Sequence, residues 1–233
     1  MGKIKGATNL TIKNLTGKTA DLYIYGEIVD NTDWKWDEYD VMPDDIREVV
    51  DQLDNLDTLN IYINSPGGSV FAGTAIYNML KRNKAKKIVH IDGVAASMAS
   101  VIALVGDEIY MPSNAFMMIH KPWTFAYGDA NDFRKVADDL DVIEKGFLTA
   151  YEENLRDGVD MEEIREMLEK ETWLDADTAT KYFNIEITEA KEIAASGKEF
   201  LKNYNNVPKQ LLEQPKEDEE LEKIKLLNEL DLI

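Results

Sequence analysis

Two periodicities alternate along this chain, one of strands and one of helices. Residues 20–29, ADLYIYGEIV, gather β-branched and aromatic side chains around one glycine and predict a strand. The polar and aromatic stretch 31–42 predicts a loop. Pro43, followed by Asp44 and Asp45, predicts a helix reaching about Leu53, because proline fits a first helical turn and acids suit its positive end. A strand, turn and helix then occur twice. LNIYI (59–63) leads through NSPGG (64–68) into SVFAGTAIYNMLKRN (69–83), and KKIVHI (86–91) leads through DGVAA (92–96) into SMASVIALV (97–105). Parallel strands need a crossover of this length, so the pattern predicts βαβ units and a mostly parallel sheet. DEIYM (107–111) and AFMMI (115–119) add two short strands.

A longer helix is expected over about 129–156. Phe133, Val136, Leu140, Ile143 and Phe147 recur at spacings of three and four, with Asp138, Asp139 and Asp141 on the wet face. Helices over 161–169 and from Ala176 to about Phe183, and a strand over 185–188, complete the pattern. From about Glu189 the chain turns polar. Residues 1–190 are expected to form one domain and 191–233 a polar linker and acidic amphipathic helical tail. That tail carries Leu221, Ile224, Leu227 and Leu230 on one face, either frayed in solvent or docked on a partner or on its own body.

Composition narrows the function classes. The chain has 233 residues, 44% of them hydrophobic, enough for a real core. No apolar run approaches the ~20 residues that cross a bilayer, and MGKIKGATNLTIKN lacks the apolar stretch of a signal peptide. Gly6 stands where a myristoylation site would want Ser or Thr. The net charge of −19 disfavours nucleic acid and anionic membrane as partners. Cysteine is absent, which excludes disulfides, thiolate-bound zinc and a thiol nucleophile, and fits a cytoplasmic location.

Three places carry candidate chemistry. Asn64-Ser65-Pro66-Gly67-Gly68 joins a strand to a helix, and its paired glycines allow close backbone approach with exposed amides. It matches no nucleotide-binding pattern. Ser97, in GVAASM, enters a helix: it suits a plain N-cap, and equally a nucleophile whose oxyanion would meet free helix amides. His120, in MMIHKPW, closes an apolar strand, whereas His90 between Val89 and Ile91 reads as structural. A serine needs a base, and the base needs an orienting acid. Only two histidines are present, and the acids open to choice are Glu171 and Asp175, around Trp173.

INSPGGSV (63–70), GVAASMAS (93–100) and MMIHKPW (117–123), in this order, resemble the core motifs of the ClpP family, the proteolytic subunits of ATP-dependent Clp protease. The resemblance runs from about residue 20 to 190. It implies an α/β fold of the ClpP/crotonase type, a ββα superhelix with a long handle helix between rings. It also implies peptide hydrolysis by a serine endopeptidase without metal or organic cofactor. Ser97 matches the nucleophile, His120 the general base, and the amides of Gly68 and Met98 the oxyanion hole. Glu171 falls where the family has Asp, with Asp175 the alternative. Val94 and Lys121 both replace a usual Gln. The partners implied are other copies of the chain in two stacked seven-subunit rings, polypeptide substrates and a Clp-type AAA+ ATPase. The start of the chain and its acidic tail make it most similar to the Clp-like proteases of phages and prophages. A crotonase-fold acyl-CoA-binding protein and a catalytically silent ring subunit are the alternative readings.

Overall fold

Both predicted βα units form, and each strand runs beyond its hydrophobic stretch. The structure, a computed structural model, describes residues 13–16, 18–32, 35, 37, 39–52, 56–190, 201 and 204–212. The strands are β1 (Lys13–Thr16), β2 (Thr19–Ile28), β3 (Thr58–Gly68), β4 (Lys86–Ala96), β5 (Glu108–Pro112), β6 (Phe116–Ile119), β7 (Thr172–Asp175) and β8 (Glu186–Thr188). The helices are α1 (Pro43–Gln52), α2 (Val70–Arg82), α3 (Met98–Ala103), α4 (Ala130–Glu152), α5 (Met161–Glu169), α6 (Ala176–Tyr182) and a single turn α7 (Lys209–Leu212).

The main sheet path is β1-β2-β3-β4-β5-β8. All its pairings are parallel except β1 with β2. β4 forks: residues 88–90 pair with β5, and residues 94–96 pair with β6. β7 then runs antiparallel to β6, a strand the sequence pattern did not predict. Alternation along β3 buries Leu59, Ile61 and Ile63 with Ile76 and Leu80 of α2 and Val89 and Ile91 of β4. Each such side chain contributes about 1.5–3 kcal/mol on leaving water. The other face of the sheet carries a ladder of stacked rings, Tyr23 on Tyr62 at 4.7 Å, Tyr62 on His90 at 4.8 Å and His90 on Tyr110 at 5.5 Å. His90 is one rung of it.

Two expected turns are instead strand. Ser65 pairs with Ala95 across β3 and β4, and its Oγ donates to Gly26 O at 2.6 Å. Asn64 Oδ1 accepts from Val94 N at 3.2 Å, while Gly67 and Gly68 lie opposite Glu27 and Ile28. The glycine stretch thus stays within the ladder, with shifts of register in place of a turn. The stripe along α4 covers the body only at its C-terminal end. Phe147, Leu148 and Tyr151 are buried, whereas Phe133 is half exposed.

Leu201 and Tyr204 are buried against Val94, Ala96 and Met118, flanked by Trp173, Val207 and Leu211. Part of the expected appendage therefore packs on the body. The tail stripe from Leu221 to Leu230 lies outside the described residues. Among the described residues no helix is long and apolar enough to cross a membrane.

Candidate active site

β4 hands the chain to α3 through Ser97, whose backbone is strained at φ 53 and ψ −125. Its amide donates to Met118 O at 2.9 Å, tying the elbow to β6. Ser97 occupies the N-cap position of α3 but makes no side-chain capping bond. Its Oγ lies instead 2.7 Å from His120 Nε2. A strained turn whose hydroxyl is directed to an imidazole rather than to the helix amides suits a reactive position better than a plain cap.

The small residues around Ser97 let another backbone approach. At Gly67 a Cβ would lie 2.5 Å from Ala96 O, 2.7 Å from Ser97 Cβ and 3.0 Å from Met98 N. The glycine strand end is therefore pressed directly on the serine elbow. Gly68 follows, with φ 145 and the carbonyl of Ile28 where its Cβ would be. Met98 opens α3, where amides lack an intrahelical partner.

The ladder between β6 and β7 sets the far side. Ile119 pairs with Thr172, so the next residues outward, His120 and Glu171, come together. Glu171 adopts φ 49 just after α5, a left-handed conformation unusual for glutamate. Its Oε2 lies 3.9 Å from His120 Nδ1, beyond hydrogen-bond length. The same oxygen accepts from Asn205 Nδ2 at 3.3 Å. Oε1 is buried and has no hydrogen-bond partner among the described residues. Asp175 lies opposite Phe116, roughly 13 Å further along β7. It caps α6 by accepting from Thr178 N at 2.8 Å, which holds its carboxyl below the usual range.

Burial pushes the His120 imidazole down to about 4, so it is neutral at pH 7 and able to accept a proton. Burial raises the Glu171 carboxyl, and the Asn205 bonds partly offset this. Lys121, beside the histidine, faces away to Glu144 at 3.5 Å and Glu169 at 3.4 Å.

Of the paired glycines read as allowing close approach, it is Gly67 that is pressed on the elbow. Two neighbours escape the sequence reading. Tyr204 presents its ring edge to His120 at 5.3 Å and donates its hydroxyl to Pro66 O at 2.7 Å. Asn205 reaches Glu171, and its carbonyl accepts from Trp173 Nε1 at 3.1 Å. Nothing in the polar run KNYNNVPKQ signals either contact.

A mostly parallel α/β sheet carries a serine–histidine pair at a strand-to-helix elbow, an arrangement that suits nucleophilic catalysis. Residues 46–186 match the Clp protease family, more than half of the chain, and the chain belongs to that family. It is similar to the ATP-dependent Clp protease proteolytic subunit of Bacteroides fragilis, at 30% identity over 135 residues, 57% of this chain and 64% of that one. Proteolytic subunit 1 of Salinibacter ruber is 31% identical over 127 residues, 53% of each chain. The Streptococcus mutans subunit is 34% identical over 149 residues, 62% of this chain and 75% of its own. The chain spans somewhat less than two thirds of the Bacteroides and Salinibacter relatives it matches.

Proposed function

We propose that this chain is a serine endopeptidase of the Clp protease type, hydrolysing peptide bonds through an acyl-enzyme on Ser97. The observation that carries the reading is the 2.7 Å contact of Ser97 Oγ with a neutral, partly buried His120. In this mechanism Oγ attacks the scissile carbonyl carbon while Nε2 takes the hydroxyl proton. The carbonyl oxygen becomes an oxyanion and accepts from the Gly68 and Met98 amides. The imidazolium then returns its proton to the departing amine as the tetrahedral carbon collapses to the ester. Water, deprotonated by His120, attacks that ester and frees Ser97. Glu171, 3.9 Å from Nδ1, must close that gap to hold Nδ1–H and stabilise the imidazolium. Membership of the family and the order of the three motifs support this over an acyl-CoA protein, which would not need Ser97 and His120 together.

The proposal extends to polypeptide substrates, to rings of this chain stacked in pairs in the cytoplasm, and to delivery of substrate by a Clp-type ATPase. The ring reading draws on the exposed Phe133 and Val142 of α4. The gap between Glu171 and His120 favours one alternative, a ring subunit catalytically silent as it stands. A fluorophosphonate probe followed by mass measurement tests both. Adduct on Ser97 and its loss in Ser97→Ala support the peptidase. Peptide hydrolysis should fall on the order of 10³-fold or more in that variant, because nucleophile and base act as a unit. An unlabelled wild-type Ser97 favours the silent subunit.

A further inference from the structure

We propose that Leu201 and residues 204–212 form an autoinhibitory strap, which occupies the Ser97 cleft of its own chain with Tyr204 as the plug. This deepens the peptidase reading and rests on it. Tyr204 is only 8% exposed although it lies in a polar stretch of sequence. Its ring rests on Ala96, Met118 and Val94, beside Leu201, and meets His120 edge-on. An aromatic side chain buried this way excludes water and ligand from the space it fills. Its hydroxyl donates to Pro66 O, in the same strand end as Gly68.

Each contact of the strap engages a group that the proposed chemistry needs. The Tyr204 phenol oxygen accepts a hydrogen bond from Ser97 while its proton goes to Pro66 O, and burial pushes the phenol pKa up, so it stays protonated. Ser97 has one hydroxyl proton, and a proton directed at the phenol is not directed at His120 Nε2. Asn205 holds Glu171 Oε2 at 3.3 Å while His120 Nδ1 stands off at 3.9 Å. The buried Oε1, unpartnered among the described residues, marks a carboxylate caught between two positions. A segment that merely filled a surface groove would not hold serine, histidine and acid at once. With the strap displaced, Glu171 is free to turn to Nδ1, and the small pocket over Val94 and Met118 opens to a substrate side chain. A tethered segment acts at an effective concentration on the order of millimolar, so these few contacts suffice to keep it in place until a stronger ligand competes.

The test uses the full chain. The rate of Ser97 phosphonylation is measured for wild type, Tyr204→Ala and Leu201→Ala/Tyr204→Ala, with far-UV dichroism as a check of folding. Hydrogen exchange at 117–120 reads occupancy of the cleft independently of activity. If the strap fills the cleft more than nine tenths of the time, its release should speed labelling on the order of tenfold or more. Exchange at 117–120 should rise in parallel. A synthetic peptide of residues 201–212, added in trans, should slow the variant again. Tyr204→Phe keeps the ring but not the hydroxyl bonds, and should lie between the two if Tyr204→Ala proves unstable. Equal or slower labelling in the folded variants, Tyr204→Phe included, overturns the strap and leaves the peptidase standing. Ser97 unlabelled in every variant, while exchange reports an open cleft, overturns the peptidase reading and the inhibitory role with it.

Discussion

Glu171 and His120 face one another across the β6–β7 ladder without closing: Oε2 stands 3.9 Å from Nδ1 and nearer, at 3.3 Å, to Asn205. Register alone makes Glu171 the acid within reach, because Asp175 lies opposite Phe116 and already serves α6 as its N-cap. Glu171→Gln should therefore cut kcat/KM by about 10²-fold or more, since an amide cannot stabilise an imidazolium. Asp175→Asn should alter little, because asparagine caps a helix as well as aspartate does. Steady-state kinetics on the two variants would decide it. The reverse result would move the acid to Asp175.

His120 gives the pH dependence a sign. Its folded value, about 4, lies below the unfolded value of about 6.5, so on acidification the unfolded chain takes the proton first. The contribution of this group to stability is complete above about pH 6.5 and drains away as pH falls toward about 4, by up to about 3 kcal/mol. Neutral imidazole is also the form that accepts the serine proton. The acid limb of kcat/KM should accordingly fall below the ordinary histidine range. In Tyr204→Ala, where Glu171 is free to approach, the limb should move upward, because a nearby carboxylate favours imidazolium. A wild-type limb at about pH 7 would contradict the burial argument.

What the sequence discloses about this site depends on how local its causes are. Ser97 and His120 each stand where a hydrophobic period breaks, at the entry to α3 and the exit of β6, so their candidacy is visible in a few residues. The strand ends through Gly68 and Ala96 read as turns because glycine and alanine carry no strand signal. What makes them strand is pairing with residues distant in sequence, Gly67 and Gly68 with Glu27 and Ile28, and residues 94–96 with 116–118. Strand β7 has only four residues, TWLD, and takes its conformation from β6. Tyr204 and Pro66 are 138 residues apart and share no pattern. The stripe on α4 is correctly helical, but periodicity says only that a face is apolar, not that its own domain covers it.

The close approach at Gly67 predicts an intolerance of one methyl group. Its φ of 94 is strained for any other residue, and the atoms a Cβ would strike are the carbonyl of Ala96 and the Cβ of Ser97, neither able to rotate away. Gly67→Ala must displace the elbow, and a shift of about 1 Å in a reacting group costs on the order of 10²-fold. Phosphonate labelling should fall by that amount. Gly158→Ala is the control: its φ of 88 is equally strained, yet the space around it is open. It should lose about 1–2 kcal/mol of stability and keep its labelling rate. Equal labelling in the two variants would show that the apposition of Gly67 to Ser97 does not matter.

The exposed half of α4 bears on assembly. Phe133 is 51% and Val142 66% exposed, and the segment before the helix adds Phe125 at 90% and Tyr127 at 97%. Large apolar side chains gathered on one projecting element are what a partner surface buries. The same helix is acidic, which opposes pairing of two copies, though not all its acids count. Glu144 is buried against Lys121, Asp139 is paired with Lys135 at 2.6 Å, and Asp129 and Asp132 form a capping box. Asp138 and Asp141 remain on the exposed face and would repel their counterparts across a junction. Surface charges are screened over about 10 Å at 0.1 M salt, so pairing should strengthen as salt rises. Sedimentation velocity across a salt series should show the smaller assembly at low salt and its doubled form at high salt. Asp138→Asn/Asp141→Asn should move that transition to lower salt, and Phe133→Ser should weaken the doubled form at every salt. A chain that sediments as a monomer throughout would remove the ring proposal, and a transition unmoved by the aspartate pair would remove the charge argument alone.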